Sequence, residues 1–204
     1  MPRRFTWILW TLAALAFAAG GAWVARQHDS PGVALASGTW LPSERPVAQF
    51  ALVDHTGARF TNEQLRGRPS LVFFGFTNCP HICPTTLAKL AQVKRESGVP
   101  GLRVILVSVD PERDTPEALK KYLAGFDPQF VGLTGDKRAI EGLARDLSVA
   151  MGRRDLPGGT YTMDHTSAVF LVDARGSLVA VFTPPIESPK LASDLREVAS
   201  RLAG

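Results

Sequence analysis

The sequence predicts an α/β fold built on a mixed sheet. Two continuous apolar runs, SLVFFGF at Ser70–Phe76 and LRVILVSVD at Leu102–Asp110, have the character of strands buried on both faces. Each is followed by a stretch of helical periodicity, so strand and helix alternate. The alternation then gives way to two adjoining strand-like runs and a last helix, which argues for a sheet of mixed direction.

Each element follows from local pattern. AQFALVD (48–54) alternates as a strand, and HTG (55–57) turns it into ARF (58–60) as a hairpin. CPTTLAKLAQVKRES (83–97) repeats apolar residues at Leu87, Leu90 and Val93; Pro84 suits its first turn and Gly98 its stop. TPEALKKYLAGF (115–126) is a helix with Thr115 as N-cap and Pro116 at the first position. A short strand is expected near Phe130–Leu133, then a helix over DKRAIEGLARDLSV (136–149), capped by Asp136. HTSAVFLVDARGSLVAVF (165–182) reads as two strands joined by a turn at Ala174–Ser177, with His165 opening the first. SPKLASDLREVASRLA (188–203) closes the chain as a helix that starts at Ser188 and Pro189. This order resembles the thioredoxin-like fold with an N-terminal hairpin and an inserted helix before the last hairpin.

Ahead of that domain, Phe5–Ala25 is an uncharged, almost wholly apolar run. It is long enough to cross about 30 Å of hydrocarbon as a helix. Trp7, Trp10 and Trp23 lie near its ends, where indoles favour the interface, and Arg3 and Arg4 precede it. The positive-inside bias keeps the N-terminus in the cytoplasm and sends the rest across, so the domain is expected to face the periplasm of a bacterium from its inner membrane. A cleaved signal peptide is the alternative, with AFA at Ala16–Ala18 as a cleavage pattern; the apolar run continues past it, which favours an anchor over residues 1–26. Residues 27–46, rich in Ser, Pro and Gly, read as a flexible tether, and 47–204 as the domain. On the far side of the membrane two cysteines can form a disulfide.

The net charge of +4 does not imply nucleic acid. Without Arg3, Arg4 and Arg26, 20 basic side chains face 19 acidic ones, and no basic stripe stands out. The chemistry concentrates instead in FFGFTNCPHICPTTL (73–87), which holds Cys79 and Cys83, the chain's two cysteines. They fall where a buried strand meets a helix, at the sheet edge where α/β proteins place their sites. The helix N-terminus favours thiolate, and Pro80 and Pro84 stiffen the loop. Thiols at i and i+4 can close around one soft ion, or reach disulfide geometry, since one helical turn separates Cα atoms by roughly 6 Å. Spacing alone leaves both open.

Four histidines could supply a third ligand. His28 lies in the tether, His55 reads as a turn residue, and His81 sits between the cysteines with its ring free to point outward. His165, where a Gly-rich loop ends, reads by itself as a structural residue.

GFTNCPHICPTTL, VSVDPERDTPEALKKY and YTMDHTSAVFLVD, in this order and behind an apolar N-terminal segment, resemble the Sco/SenC family of copper-binding assembly factors for cytochrome c oxidase. The resemblance covers the chain from about Val47 to its end. It implies a thioredoxin-like fold and a copper site made by Cys79, Cys83 and His165. It also implies delivery of copper to the dinuclear site of oxidase subunit II, or thiol reduction there, with other copper chaperones as further partners. Two soft thiolates and one imidazole suit Cu(I), and Cu(II) fits with an added oxygen ligand; structural zinc would want a fourth protein ligand. The position between the cysteines is often acidic in the family and is His81 here, which leaves the local charge less negative. Asp110 and Asp164 are candidates for supporting the site from outside the ligand set, with loop-structuring roles as the alternative. Met163 reads as packing, turned away from His165 by alternation. Two other readings share the fold. A thiol–disulfide oxidoreductase would use the same two thiols, and a thiol peroxidase would need an arginine that the sequence does not place.

Overall fold

The computed structural model describes residues 34–202. The anchor expected over 1–26, the start of the tether and His28 lie outside them. Among the described residues no helix is long and apolar enough to cross a membrane.

The chain runs β1 (Gly38–Pro46), β2 (Ala51–Asp54), β3 (Arg59–Thr61), α1 (Asn62–Leu65), β4 (Ser70–Gly75), α2 (Ile82–Glu96), β5 (Arg103–Ser108) and α3 (Pro116–Leu123). It continues with β6 (Val131–Thr134), α4 (Lys137–Asp146), β7 (Met151–Asp155), β8 (Tyr161–His165), β9 (Val169–Val172), β10 (Ser177–Phe182) and α5 (Ser188–Leu202). The main sheet is eight-stranded in the order β1-β10-β9-β4-β5-β6-β2-β3. Its centre, β4-β5-β6, is parallel, and β9 joins β4 antiparallel, so the sheet is mixed as expected.

Every residue of β4 and of β5 is buried. Their apolar runs are therefore shielded on both faces, and burying a side chain such as Phe73 or Phe74 contributes about 1.5–3 kcal/mol. Arg103 is a charged exception inside β5. Its guanidinium donates to Ser70 Oγ and to the carbonyls of Gln64 and Leu65, which ties α1 to the strand. The expected caps are present: Thr115 Oγ1 accepts from Ala118 N–H and Asp136 from Ala139 N–H. Gly98 follows α2 at φ +65°, the left-handed position that stops a helix.

Three expectations are corrected. The tether drawn to residue 46 stops earlier: Gly38–Pro46 is an edge strand on β10, and Asp194 of α5 accepts from Ala36 N–H and Ser37 N–H just ahead of it. His165 ends a strand instead of opening one. The segment read as a Gly-rich loop is a separate two-stranded hairpin, β7–β8, and the main-sheet strand begins only at Val169. Within β8, Met163 and His165 are two residues apart and so share a face; Met163 is buried beside the same cleft as His165.

Candidate metal centre

β4 and β5 lie side by side and parallel, with Gly75 opposite Ser108. Their carboxyl ends deliver two loops to one edge: residues 76–81, which enter α2, and residues 109–115, which enter α3. Val109 N–H donates to Gly75 O at 2.9 Å where the loops diverge. The β7–β8 hairpin brings His165 to the same edge.

Cys79 lies in the first loop and Cys83 in the first turn of α2. Cys83 N–H, one of the free donors of a helix start, donates to Cys79 Sγ at 3.3 Å. The N-cap, His81, makes no side-chain capping bond, so the sulfur fills that role. Cys83 is fully buried against the end of β4, where a Cβ on Gly75 would lie 3.1 Å from its Sγ. Glycine there makes room for the sulfur. Both cysteines are free thiols.

His165 reaches the pair from the hairpin, with Nε2 3.5 Å from Cys83 Sγ. Its Nδ1 lies 3.1 Å from Thr166 O, which can only accept, so Nδ1–H donates there and Nε2 is the nitrogen that faces Cys83 Sγ. The ring edges against Phe73 and Phe76, each at 6.0 Å between centroids. The two sulfurs and one imidazole nitrogen lie within 4.8 Å of one another, the one such cluster found among the described residues. Cys79 and His165 line an open cleft of about 360 Å³ together with Pro80, His81, Ile82 and Met163, and Cys83 lies fully buried behind them.

The sulfurs are electrostatically unequal. The hydrogen bond from the Cys83 side chain, helped by His165 and by the N–H groups of Cys83 and His81, holds Cys79 far below the ordinary thiol range against the effect of burial. The same bond, burial and the nearby Asp114 carboxylate push Cys83 far above it. The pair is thus polarised, with negative charge favoured on Cys79 and the proton favoured on Cys83.

Other candidates fall elsewhere. His55 Nδ1 accepts from Gly132 N–H at 3.1 Å, a structural role, and His81 is exposed on the cleft rim. Asp164 lies on the exposed wall of the same cleft and pairs with Arg154 across the hairpin at 2.9 Å. Asp110 is buried and accepts from Tyr161 Oη at 2.9 Å and from Arg113 Nε. Sequence reasoning missed Asp114, which is fully buried and accepts from Thr77 N–H at 3.1 Å, Thr77 Oγ1 at 2.5 Å and Ser108 Oγ at 2.6 Å. It fixes the cysteine loop two residues before Cys79. Its signal was the last acid of DPERD, quoted in the motif but given no role.

A SCO1/SenC family model matches residues 41–200. The chain belongs to the SCO1/SenC family. A SCO2-like protein of Rickettsia felis is 38% identical over 137 residues, covering 65% of this chain and 67% of that protein. Among solved structures, Bradyrhizobium japonicum ScoI with copper bound is 38% identical and covers 74% of this chain and 98% of its own, with a TM-score of 0.68. BsSco, described with a disulfide switch and as a member of the Sco family of cytochrome c oxidase assembly proteins, is 26% identical at a TM-score of 0.61, over 77% of this chain and 95% of its own. The mixed α/β architecture is that of these Sco structures, thioredoxin-like as the element order predicts.

Proposed function

We propose that this protein is a membrane-anchored copper chaperone that holds one copper ion through Cys79, Cys83 and His165 and assists assembly of the dinuclear copper site in subunit II of cytochrome c oxidase. The observation that carries the reading is the convergence of two sulfurs and one imidazole nitrogen within 4.8 Å beside an open cleft. Two soft donors and one borderline donor suit Cu(I), and the absence of a fourth protein donor in the cluster suits an ion that must be passed on. The copper-bound ScoI relative and the oxidase assembly role of the Sco family support the cargo and the partner. Residues 1–26 anchor the domain in the inner membrane, with the N-terminus cytoplasmic and the site facing the periplasm. The residues between this anchor and β1 act as the tether.

Reduced protein is expected to bind one Cu(I) per chain. His165→Ala should weaken binding by more than the 10–100-fold typical of losing an outer partner of a ligand, measured by competition with a Cu(I) chelator. Unchanged affinity would remove the three-ligand site.

The unequal sulfurs favour a second reading, a dedicated thiol–disulfide reductase for the oxidase copper-site cysteines. The Cys79 thiolate would attack the partner's disulfide and expel one partner thiolate. That thiolate would take the Cys83 proton, and Cys83 would attack Cys79 Sγ of the mixed disulfide, closing the Cys79–Cys83 disulfide and expelling the second partner thiolate, so two electrons pass to the partner. This reading predicts that His165→Ala keeps reductase activity while copper is lost.

A further inference from the structure

The third proposed ligand stands on an element outside the main sheet. β7 and β8 pair only with each other, and residues 152–160 are exposed throughout, so something other than the sheet ladder must set where His165 sits. The contacts converge on the loop after β5. Arg113 lies with its guanidinium carbon 3.8 Å from the centroid of the Tyr161 ring, and its Nη1 donates to Tyr161 O at 3.2 Å. Tyr161 Oη donates to the buried Asp110 at 2.9 Å, and Asp110 in turn accepts from Arg113 Nε. Arg153, on the facing strand, lies 3.9 Å from the same ring centroid and pairs with Glu112 at 3.9 Å. Two guanidinium groups that close cannot share one face, so Tyr161 is stacked between them. Arg113 also lies 6.0 Å over the ring of Phe76. Phe76 is the residue whose carbonyl accepts from Cys79 N–H and whose ring packs against His165.

One side chain therefore touches both halves of the site. Arg113 meets the cysteine loop at Phe76 and the histidine hairpin at Tyr161, and Asp110 fixes both Arg113 and Tyr161. Its Nη2 is buried with no hydrogen-bond partner among the described residues, so stacking and the two remaining donors hold it in place. We propose that Asp110, Arg113 and Tyr161 form a clasp that registers the His165 hairpin against the Cys79–Cys83 loop, and that copper retention depends on this clasp through His165. They are positioning residues and bind no metal. The cleft over the cysteines opens between the two segments that the clasp joins, so releasing it would carry the imidazole away from the sulfurs and leave a two-coordinate ion.

The inference rests on the ligand set proposed above, and a double-mutant cycle separates the two. Cu(I) affinity of the full-length reduced protein is measured by competition with bicinchoninate for wild type, Tyr161→Leu, His165→Ala and the double variant. Tyr161→Phe serves as the milder change that keeps the ring and loses the bond to Asp110. The clasp predicts at least about tenfold weaker binding in Tyr161→Leu and an intermediate loss in Tyr161→Phe. It predicts no further loss when either change is added to His165→Ala. Equal losses in both backgrounds, or none in wild type, overturn it. If His165→Ala itself leaves affinity unchanged, the ligand set fails, and amide hydrogen exchange of Met151–His165 decides the clasp alone. Faster exchange confined to the hairpin in Tyr161→Leu supports it, and unchanged exchange overturns it.

Discussion

Cys79 and Cys83 differ in proton affinity although their side chains are chemically identical, because one sulfur caps a helix and accepts the other's hydrogen bond. Copper binding through both requires two thiolates, and the surroundings favour the thiolate at Cys79 while holding the proton on Cys83. Binding near neutral pH should therefore release about one proton per Cu(I), and apparent affinity should rise about tenfold per pH unit. Titration calorimetry in buffers of different ionisation enthalpy measures this, and release of two protons would contradict the polarised pair. Gly75 matters at the same scale. Gly75→Ala would place a methyl 3.1 Å from Cys83 Sγ, with Phe73 and Leu106 equally close, and the sulfur must shift by a few tenths of an ångström. A loss of Cu(I) affinity of several-fold is expected, within the 10–100-fold cost of disturbing a ligand's surroundings, with stability reduced by about 1–3 kcal/mol for overpacking.

At the scale of elements, the longer helices were readable, while the one-turn α1 and some strands were not. Thr115 and Asp136 announce their helices by local hydrogen bonding that needs no tertiary contact. Asp136→Ala should cost about 1 kcal/mol of stability in denaturant unfolding while leaving copper affinity unchanged, since α4 packs against β2 and does not meet the site. β1 was hidden because TWLPSERP carries two prolines, which an edge strand tolerates and a central strand does not. β7 was hidden because MGRRD is polar and exposed and shows no alternation. Its strand pairing is set by the partner strand β8 and by the stacking on Tyr161, neither of which lies within its own sequence.

For the whole molecule, topology does the assembly. Parallel β4 and β5 put the cysteine loop and the DPERD loop at one edge, and the hairpin crosses to them from between α4 and β9. Among the described residues, the three candidate ligands all come from residues 79–165. Removing residues 1–33 should leave Cu(I) affinity unchanged and abolish sedimentation with membranes, if the N-terminal segment is the anchor. Weaker copper binding by the shortened chain would show that the segment contributes to the site.

Local pattern in the chain was enough for the alternation of buried strands and helices, the helix caps, the strand–helix junction that holds both cysteines and, through the family's motifs, the choice of His165. Apart from the choice of His165, those features depend on residues within a turn or two of each other. Long-range packing had to supply the rest: the burial of Cys83 under Gly75, the Asp114 bonds to the cysteine loop, and the hairpin and clasp that carry His165 across 82 residues to its sulfurs. A contact between segments so far apart is set by sheet order and side-chain fit, and neither leaves a period in the sequence.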